Sequence, residues 1–283
     1  MTDMRNPLRH LFAAVHAPDW LRLGNRLERA LTCGIVGLDI RLVNPAEGPS
    51  KAEAELAVIA SECALEVRCH AWAGVRAPDG TSKAVAADGT RQGRALALAA
   101  AKIGASLASG NFERDVWRGP NGCANPKAVD FIDAYINAAH AAVPGMRVGD
   151  LGFADPDEHY RDADLDHDGD IDDELPEHVV IQFARRGLMA YQNTPEAVRS
   201  KLAKGRAIAG SVPCSWWGSV GRVEKDGTVI GSAATTRAIW EERPSAIDEW
   251  VGYVGFGAIG QVLDGHARHA ALADMVRTWR TAS

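Results

Sequence analysis

Short apolar runs alternate with longer amphipathic helical patterns along almost the whole chain, and this rhythm limits the possible folds more than any other feature. Residues 34–43 (GIVGLDIRLV) read as a strand, and residues 50–65 as a helix with Ser50 as its cap and acids in its early turns. Residues 66–75 form the next expected strand, 90–103 the next helix and 105–110 a third strand. Residues 125–143 carry the strongest helical pattern, with Pro126 in the first turn, apolar side chains at 129, 132, 136, 139 and 143, and Pro144-Gly145 as the stop. Five further strands are expected at 146–153, 178–183, 206–214, 235–240 and 258–263, with helices at 194–204, 245–254 and 266–280. A hairpin over 222–232, turning at Lys225-Asp226-Gly227-Thr228, interrupts the rhythm once.

Eight strands separated by helices predict an α/β fold of the (β/α)8 or TIM-barrel type over residues 31–283, preceded by an N-terminal helical segment, 1–30. An open doubly wound sheet is the competitor. It fits less well, because no G-x-G-x-x-G follows the first expected strand and polar or aromatic residues recur after the strands. With 283 residues, 46% hydrophobic and 24% charged, the chain can bury one large core.

Within this pattern lies an acidic run, from Asp164 to Glu174, that alternates carboxylates around Gly169. Calcium binds six to eight oxygens, which alternate side chains of a tight loop can supply while glycine permits the turn. Asp164, Asp166 and Asp168 are the expected first ligands, the Asp170 carbonyl the backbone ligand and Ile171 the apolar anchor. The run resembles the calcium loop of EF-hand and dockerin-type proteins over these dozen residues. It departs from that loop at the twelfth position, Leu175, so the resemblance implies that Asp173, Glu174 or Glu177 closes the shell. A solvated acidic loop is the plainer reading. The expected layout is thus a barrel with an inserted Ca2+ loop, 155–177, after its fourth strand.

A net charge of -6, with no Lys/Arg cluster along any expected helix, argues against a nucleic-acid surface. No apolar run approaches the length that spans a bilayer, and the N-terminus has no signal-peptide pattern. The five cysteines (33, 63, 69, 123 and 214) show neither C-x-x-C nor zinc spacing and read as small buried hydrophobes. Free thiols suit synthesis in the cytoplasm, whereas a calcium loop suits a calcium-rich place. Release by lysis, carriage on a virion or dedicated export reconciles the two.

In a barrel of this type function sits at the C-terminal ends of the strands. That rule selects Asp39, His70, Trp72, Asn111, Glu113, Arg114, Asp115 and Trp117 from the first three expected units. Asp150, Asp155, Asp157 and Glu158 follow from the fourth, Gln182 and Arg185 from the fifth, Trp216 and Trp217 from the sixth, Trp240, Glu241 and Glu242 from the seventh, and Asp264 from the eighth. Paired carboxylates are what glycoside hydrolysis needs, and tryptophan faces are what sugar rings stack on. Each residue also has a duller role open to it. Asp39 is equally a buried acid paired with a base, His70 a hydrogen-bonded core histidine, Glu113-Arg114-Asp115 a loop ion-pair network and Trp216-Trp217 a packed lid.

Gly37-Leu38-Asp39-Ile40, Asp155-Pro156-Asp157-Glu158 and Trp240-Glu241-Glu242 give the chain a layout similar to the TIM-barrel glycoside hydrolases, in which acids after the fourth and seventh strands do the chemistry. The D-x-x-D-x-D-x-E spacing of chitinase-like barrels is absent from 150–158. The resemblance implies Glu158 or Asp155 as acid and Glu241 as nucleophile or base, with Asp39 beside them. His70, Trp72, Glu113, Arg114, Trp117, Trp216, Trp217 and Trp240 would then hold substrate. The expected protein is a calcium-stabilised hydrolase of a polysaccharide or peptidoglycan. The alternative is a non-catalytic barrel serving as a structural or carbohydrate-binding component of a virion or secreted assembly.

Overall fold

A computed structural model describes residues 11–31, 35–120, 124–153, 177–190, 194–219, 222–223, 229–230 and 249–253. Its centre is a closed barrel of eight parallel strands. In order around the ring these are β1 (Leu11–Val15), β2 (Gly37–Arg41), β3 (Glu66–Ala73), β4 (Ala108–Phe112), β5 (Val148–Phe153), β6 (Arg185–Met189), β7 (Cys214–Ser219) and β10 (Glu249–Tyr253). β10 pairs with β1 from Leu11↔Trp250 to Ala14↔Tyr253, and this ladder closes the ring. Two short strands, β8 (Arg222–Val223) and β9 (Val229–Ile230), pair antiparallel, as the expected hairpin requires.

Helices α1 (Ala17–Leu21) and α2 (Leu27–Leu31) follow β1, and α3 (Lys51–Glu62) follows β2. α4 (Ala86–Lys102) follows β3, while α5 (Arg114–Trp117) and α6 (Ala128–Ala142) follow β4. α7 (Glu177–Val180) precedes β6, and α8 (Pro195–Ala209) follows it. Ser50 caps α3 in a capping box with Glu53, whose second oxygen accepts from the Val43 N–H at 2.9 Å. The loop leaving β2 is thereby fixed to the helix that returns from it.

Five expectations change. Within the expected N-terminal helical segment 1–30, Leu11–Val15 is the barrel's first strand, hydrogen-bonded on both edges, with helices only at Ala17–Leu21 and Leu27–Leu31; residues 1–10 lie outside the described residues. The strand's Ala-Ala pair favours helix locally, but two flanking strands override that preference. The expected strand at 178–183 begins with a turn of helix, α7, and the strand is Arg185–Met189. The helix before β7 runs on to Ala209 and ends at Gly210 (φ 57), so β7 is Cys214–Ser219 rather than 206–214. Glu249–Tyr253 is a strand inside the expected helix 245–254. Finally, every later strand moves up by one, so the acidic segment follows the fifth strand rather than the fourth. The strands expected at 235–240 and 258–263 and the helix at 266–280 lie outside the described residues.

Two apolar layers hold the barrel. Phe12, Ala14, Leu151, Met189 and Trp217 fill its inside. The outer strand faces bury against the helices, where Phe112 packs edge-on to Phe131 and Tyr135 at ring distances of 6.3 and 5.2 Å. Glycines create the interior space: a Cβ on Gly37 would strike the Phe12 ring, and one on Gly187 would lie 2.7 Å from Trp217 Nε1. The Arg68 guanidinium lies 3.5 Å over the Phe12 ring and pairs with Glu66 at 2.9 Å.

Asp150 and Arg186 face each other in register on β5 and β6, both buried, with Nε and Nη2 of Arg186 each 2.9 Å from Asp150 Oδ2. Burial pushes the Asp150 carboxyl up, and the Arg186 charge and hydrogen bond oppose the rise. Asp150, a candidate from strand position alone, is thus committed to a buried ion pair.

Candidate functional site

The site builds up from the inner faces of β2, β3 and β4. Alternation puts Asp39 on the face of Gly37 and His70 on that of Arg68, so both point into the barrel. There His70 Nδ1 and Asp39 Oδ1 lie 2.7 Å apart, each residue only 2% exposed. The imidazole packs edge-on to Trp217 at 5.2 Å between ring centres. A carboxylate and an indole thus hold the His70 ring in one orientation.

Toward the C-terminal mouth, β3 ends with Trp72, which is 45% exposed and in register with Asn111 of β4. Asn111 Nδ2 donates to Glu113 Oε1 at 2.9 Å, orienting a carboxylate just beyond the strand end. On the outer side of the strand, between the end of β3 and α4, lies a cleft of about 210 Å³ that Trp72 lines together with Asn44, Ala71, Gln92, Leu96 and Tyr135.

The loops around this mouth are tied to one another. Gln92 accepts from the Gly74 N–H at 2.9 Å and donates to its carbonyl at 3.0 Å. Gly74 sits at φ 112, and a Cβ there would lie 2.5 Å from the Asp115 backbone, so only glycine lets the β3 and β4 loops meet. The Val75 N–H and the Ser82 hydroxyl both donate to the Asp115 carbonyl, at 3.0 and 2.8 Å. Asn125 Nδ2 then links Ser82, Ala84 and Val116. Such cross-bonding ties the loops after β3 and β4 into one edge of the mouth.

The other sequence candidates divide clearly. Asp115 pairs with Arg76 at 2.5 Å, as a loop ion-pair reading expects. Trp117 and Trp216 are buried, their indole N–H groups donating to the Phe112 and Ala190 carbonyls at 3.0 Å, so they serve packing and offer no ring face to a sugar. Trp217 is buried against His70 instead of forming a surface platform. Arg114 opens α5. Asp155, Glu158, Trp240 and Glu241, and the expected calcium ligands Asp164, Asp166, Asp168, Asp170, Asp173 and Glu174, lie outside the described residues. Among the described residues no group of three or more His, Cys, Asp or Glu is placed to hold a metal, and no helix is long and apolar enough to cross a membrane.

Sequence reasoning gave no role to Arg41 and selected Asn111 only by its place at a strand end. The available signal for Arg41 was strand parity, since a residue two after Asp39 shares its face.

No protein-family model matches this sequence, and no curated protein is similar to it. Solved structures are similar in fold. They include a GH18 chitinase from Pseudoalteromonas aurantia, with a TM-score of 0.59 and 9% identity, covering 94% of this chain and 99% of that one. The family 5 glycoside hydrolase PbGH5A of Prevotella bryantii B14 has a TM-score of 0.61 at 8% identity, covering 99% of this chain and 98% of that one. A GH53 catalytic domain from Ignisphaera aggregans has a TM-score of 0.57 at 12% identity, covering 88% and 85%. At such identities the likeness is one of fold: the chain shares the TIM-barrel-like architecture on which these glycoside hydrolases are built.

Proposed function

We propose that this barrel is a glycoside hydrolase-like enzyme acting on a polysaccharide or peptidoglycan, with Glu113 as its general acid. The observation that carries the reading is the Asn111–Glu113 hydrogen bond at the end of β4. Once Leu11–Val15 is counted as the first strand, the acid after the fourth strand is Glu113 rather than Glu158. Glu241, which lies in the sequence between β7 and β10, is the second carboxylate of this reading. One carboxyl protonates the leaving oxygen while the other attacks the sugar or activates water. Asp39 orients His70 at the floor of the site, and Trp72 supplies a ring face at its rim. The fold shared with glycoside hydrolases supports this assignment at the level of architecture.

The acidic run after β5 serves as a structural calcium loop in the same proposal; donor type and spacing support it. The test is a hydrolysis panel of polysaccharides and peptidoglycan with the wild type, Glu113→Gln, Glu158→Gln and Glu241→Gln. Loss of turnover in Glu113→Gln and Glu241→Gln, with retention in Glu158→Gln, is expected. Full activity in Glu113→Gln removes the assignment, and glycan binding without turnover in the wild type turns the reading to a carbohydrate-binding barrel.

A further inference from the structure

Arg41 is the last residue of β2, in register with His70, and alternation places it on the inner face with Gly37 and Asp39. Two fully buried arginines of the barrel each hold a carboxylate, Arg68 with Glu66 and Arg186 with Asp150. Arg41 is half-buried, its Nε is enclosed without a hydrogen-bond partner, and no acid pairs with it among the described residues. A second unmet group stands two strands away. Asn111 is 5% exposed, its Nδ2 is committed to Glu113, and its Oδ1 is buried with no donor.

We propose that the barrel mouth takes an anionic glycan, a sugar carboxylate pairing with Arg41 while a sugar hydroxyl donates to Asn111 Oδ1. This rests on the carbohydrate-active reading above and names its substrate class. The physical case is that a buried acceptor and a buried Nε–H without partners are both unfavourable, and that the half-buried guanidinium has no counter-ion among the described residues. A carboxylate-bearing sugar relieves both at once, whereas a neutral sugar can accept from the Arg41 N–H groups but leaves its charge unpaired. The planar guanidinium fork also matches a carboxylate with two parallel hydrogen bonds. β2 and β4 are two ladder spacings apart, about 10 Å, and Asn111 stands two residues farther along than the position level with Arg41, so a ligand of more than one sugar unit spans both residues across Trp72. Arg41 does not drift, because the loop after it is pinned through the Val43–Glu53 hydrogen bond.

The test is calorimetric binding to the full chain, which needs no turnover. Two matched pairs serve as probes: oligogalacturonate against its neutral methyl ester, and muramyl-containing peptidoglycan fragments against chitooligosaccharides. In the wild type the acidic member of at least one pair binds about tenfold tighter or more, as a charge-assisted bidentate contact requires. In Arg41→Gln that preference collapses while circular dichroism stays unchanged, and Arg41→Lys restores only part of it. The pair that discriminates tells a uronate from a lactyl carboxylate. Equal binding of acidic and neutral members, or a preference that survives in Arg41→Gln, overturns the proposal and leaves the carbohydrate reading standing. Binding of no glycan at all overturns both.

Discussion

Replacing Glu113 by glutamine keeps the side-chain shape and the Asn111 contact but removes the transferable proton, so kcat should fall about 10²–10⁴-fold with KM little changed. Steady-state kinetics on the substrate found in the hydrolysis panel checks this. The Asp150–Arg186 pair has no such role, and its removal tests stability alone. Arg186→Met strands a buried carboxylate and should cost about 3–5 kcal/mol in urea denaturation, whereas Asp150→Leu combined with Arg186→Met should recover much of the loss. Glu66 predicts an acid limb. Burial would raise its carboxyl, but hydrogen bonds from Arg68 and Ser106 and the charges of Arg68 and Arg147 hold it below the usual carboxylate range. A depressed carboxylate stabilises the fold above its unfolded value and loses that contribution as pH falls through the folded one. Glu66→Gln should therefore flatten the decline of stability below about pH 4.5, measured as denaturant midpoint against pH. Asp39 and His70 were visible as polar residues inside apolar strands, but which partner each had depended on the register of β2 with β3.

At the scale of elements, α4 and α6 pack through glycine. A Cβ on Gly89 would strike the Phe131 carbonyl, and one on Gly93 the Tyr135 carbonyl, so the two backbones approach as closely as helices can. Gly93→Ala gains helix propensity in isolation yet should destabilise the protein by about 1–3 kcal/mol, because backbone cannot give way to the added methyl. Thermal denaturation followed by circular dichroism reads the sign directly. The helices were the most legible elements, since Ser50, Pro126, Thr194 and Pro195 mark their starts by local chemistry. The strands were less so. Arg185-Arg186-Gly187 reads as surface, and only the facing Asp150 makes it a buried strand. His178-Val179-Val180 reads as a strand, yet a short apolar run does not distinguish a strand from a turn of buried helix.

For the whole molecule, the acidic run makes a prediction about stability. A cation bound only by the folded chain raises stability by RT ln(1 + [L]/Kd), about 2.7 kcal/mol at a hundredfold excess over Kd. Adding calcium to chelated protein should therefore raise Tm, and Asp166→Asn with Asp168→Asn should abolish the rise; an unchanged Tm rejects the loop as a calcium site. Composition and periodicity by themselves determined that the chain is an α/β protein with a large core, because burial of amphipathic segments leaves a periodic trace in sequence. Only the tertiary structure decided which strand is first and how β10 closes the ring on β1. It alone assigned Trp117 and Trp216 to the core, Glu113 to the end of the fourth strand, and Arg41 and Asn111 to one mouth. Those outcomes depend on hydrogen-bonded registers between segments far apart in sequence, and local pattern carries no record of register.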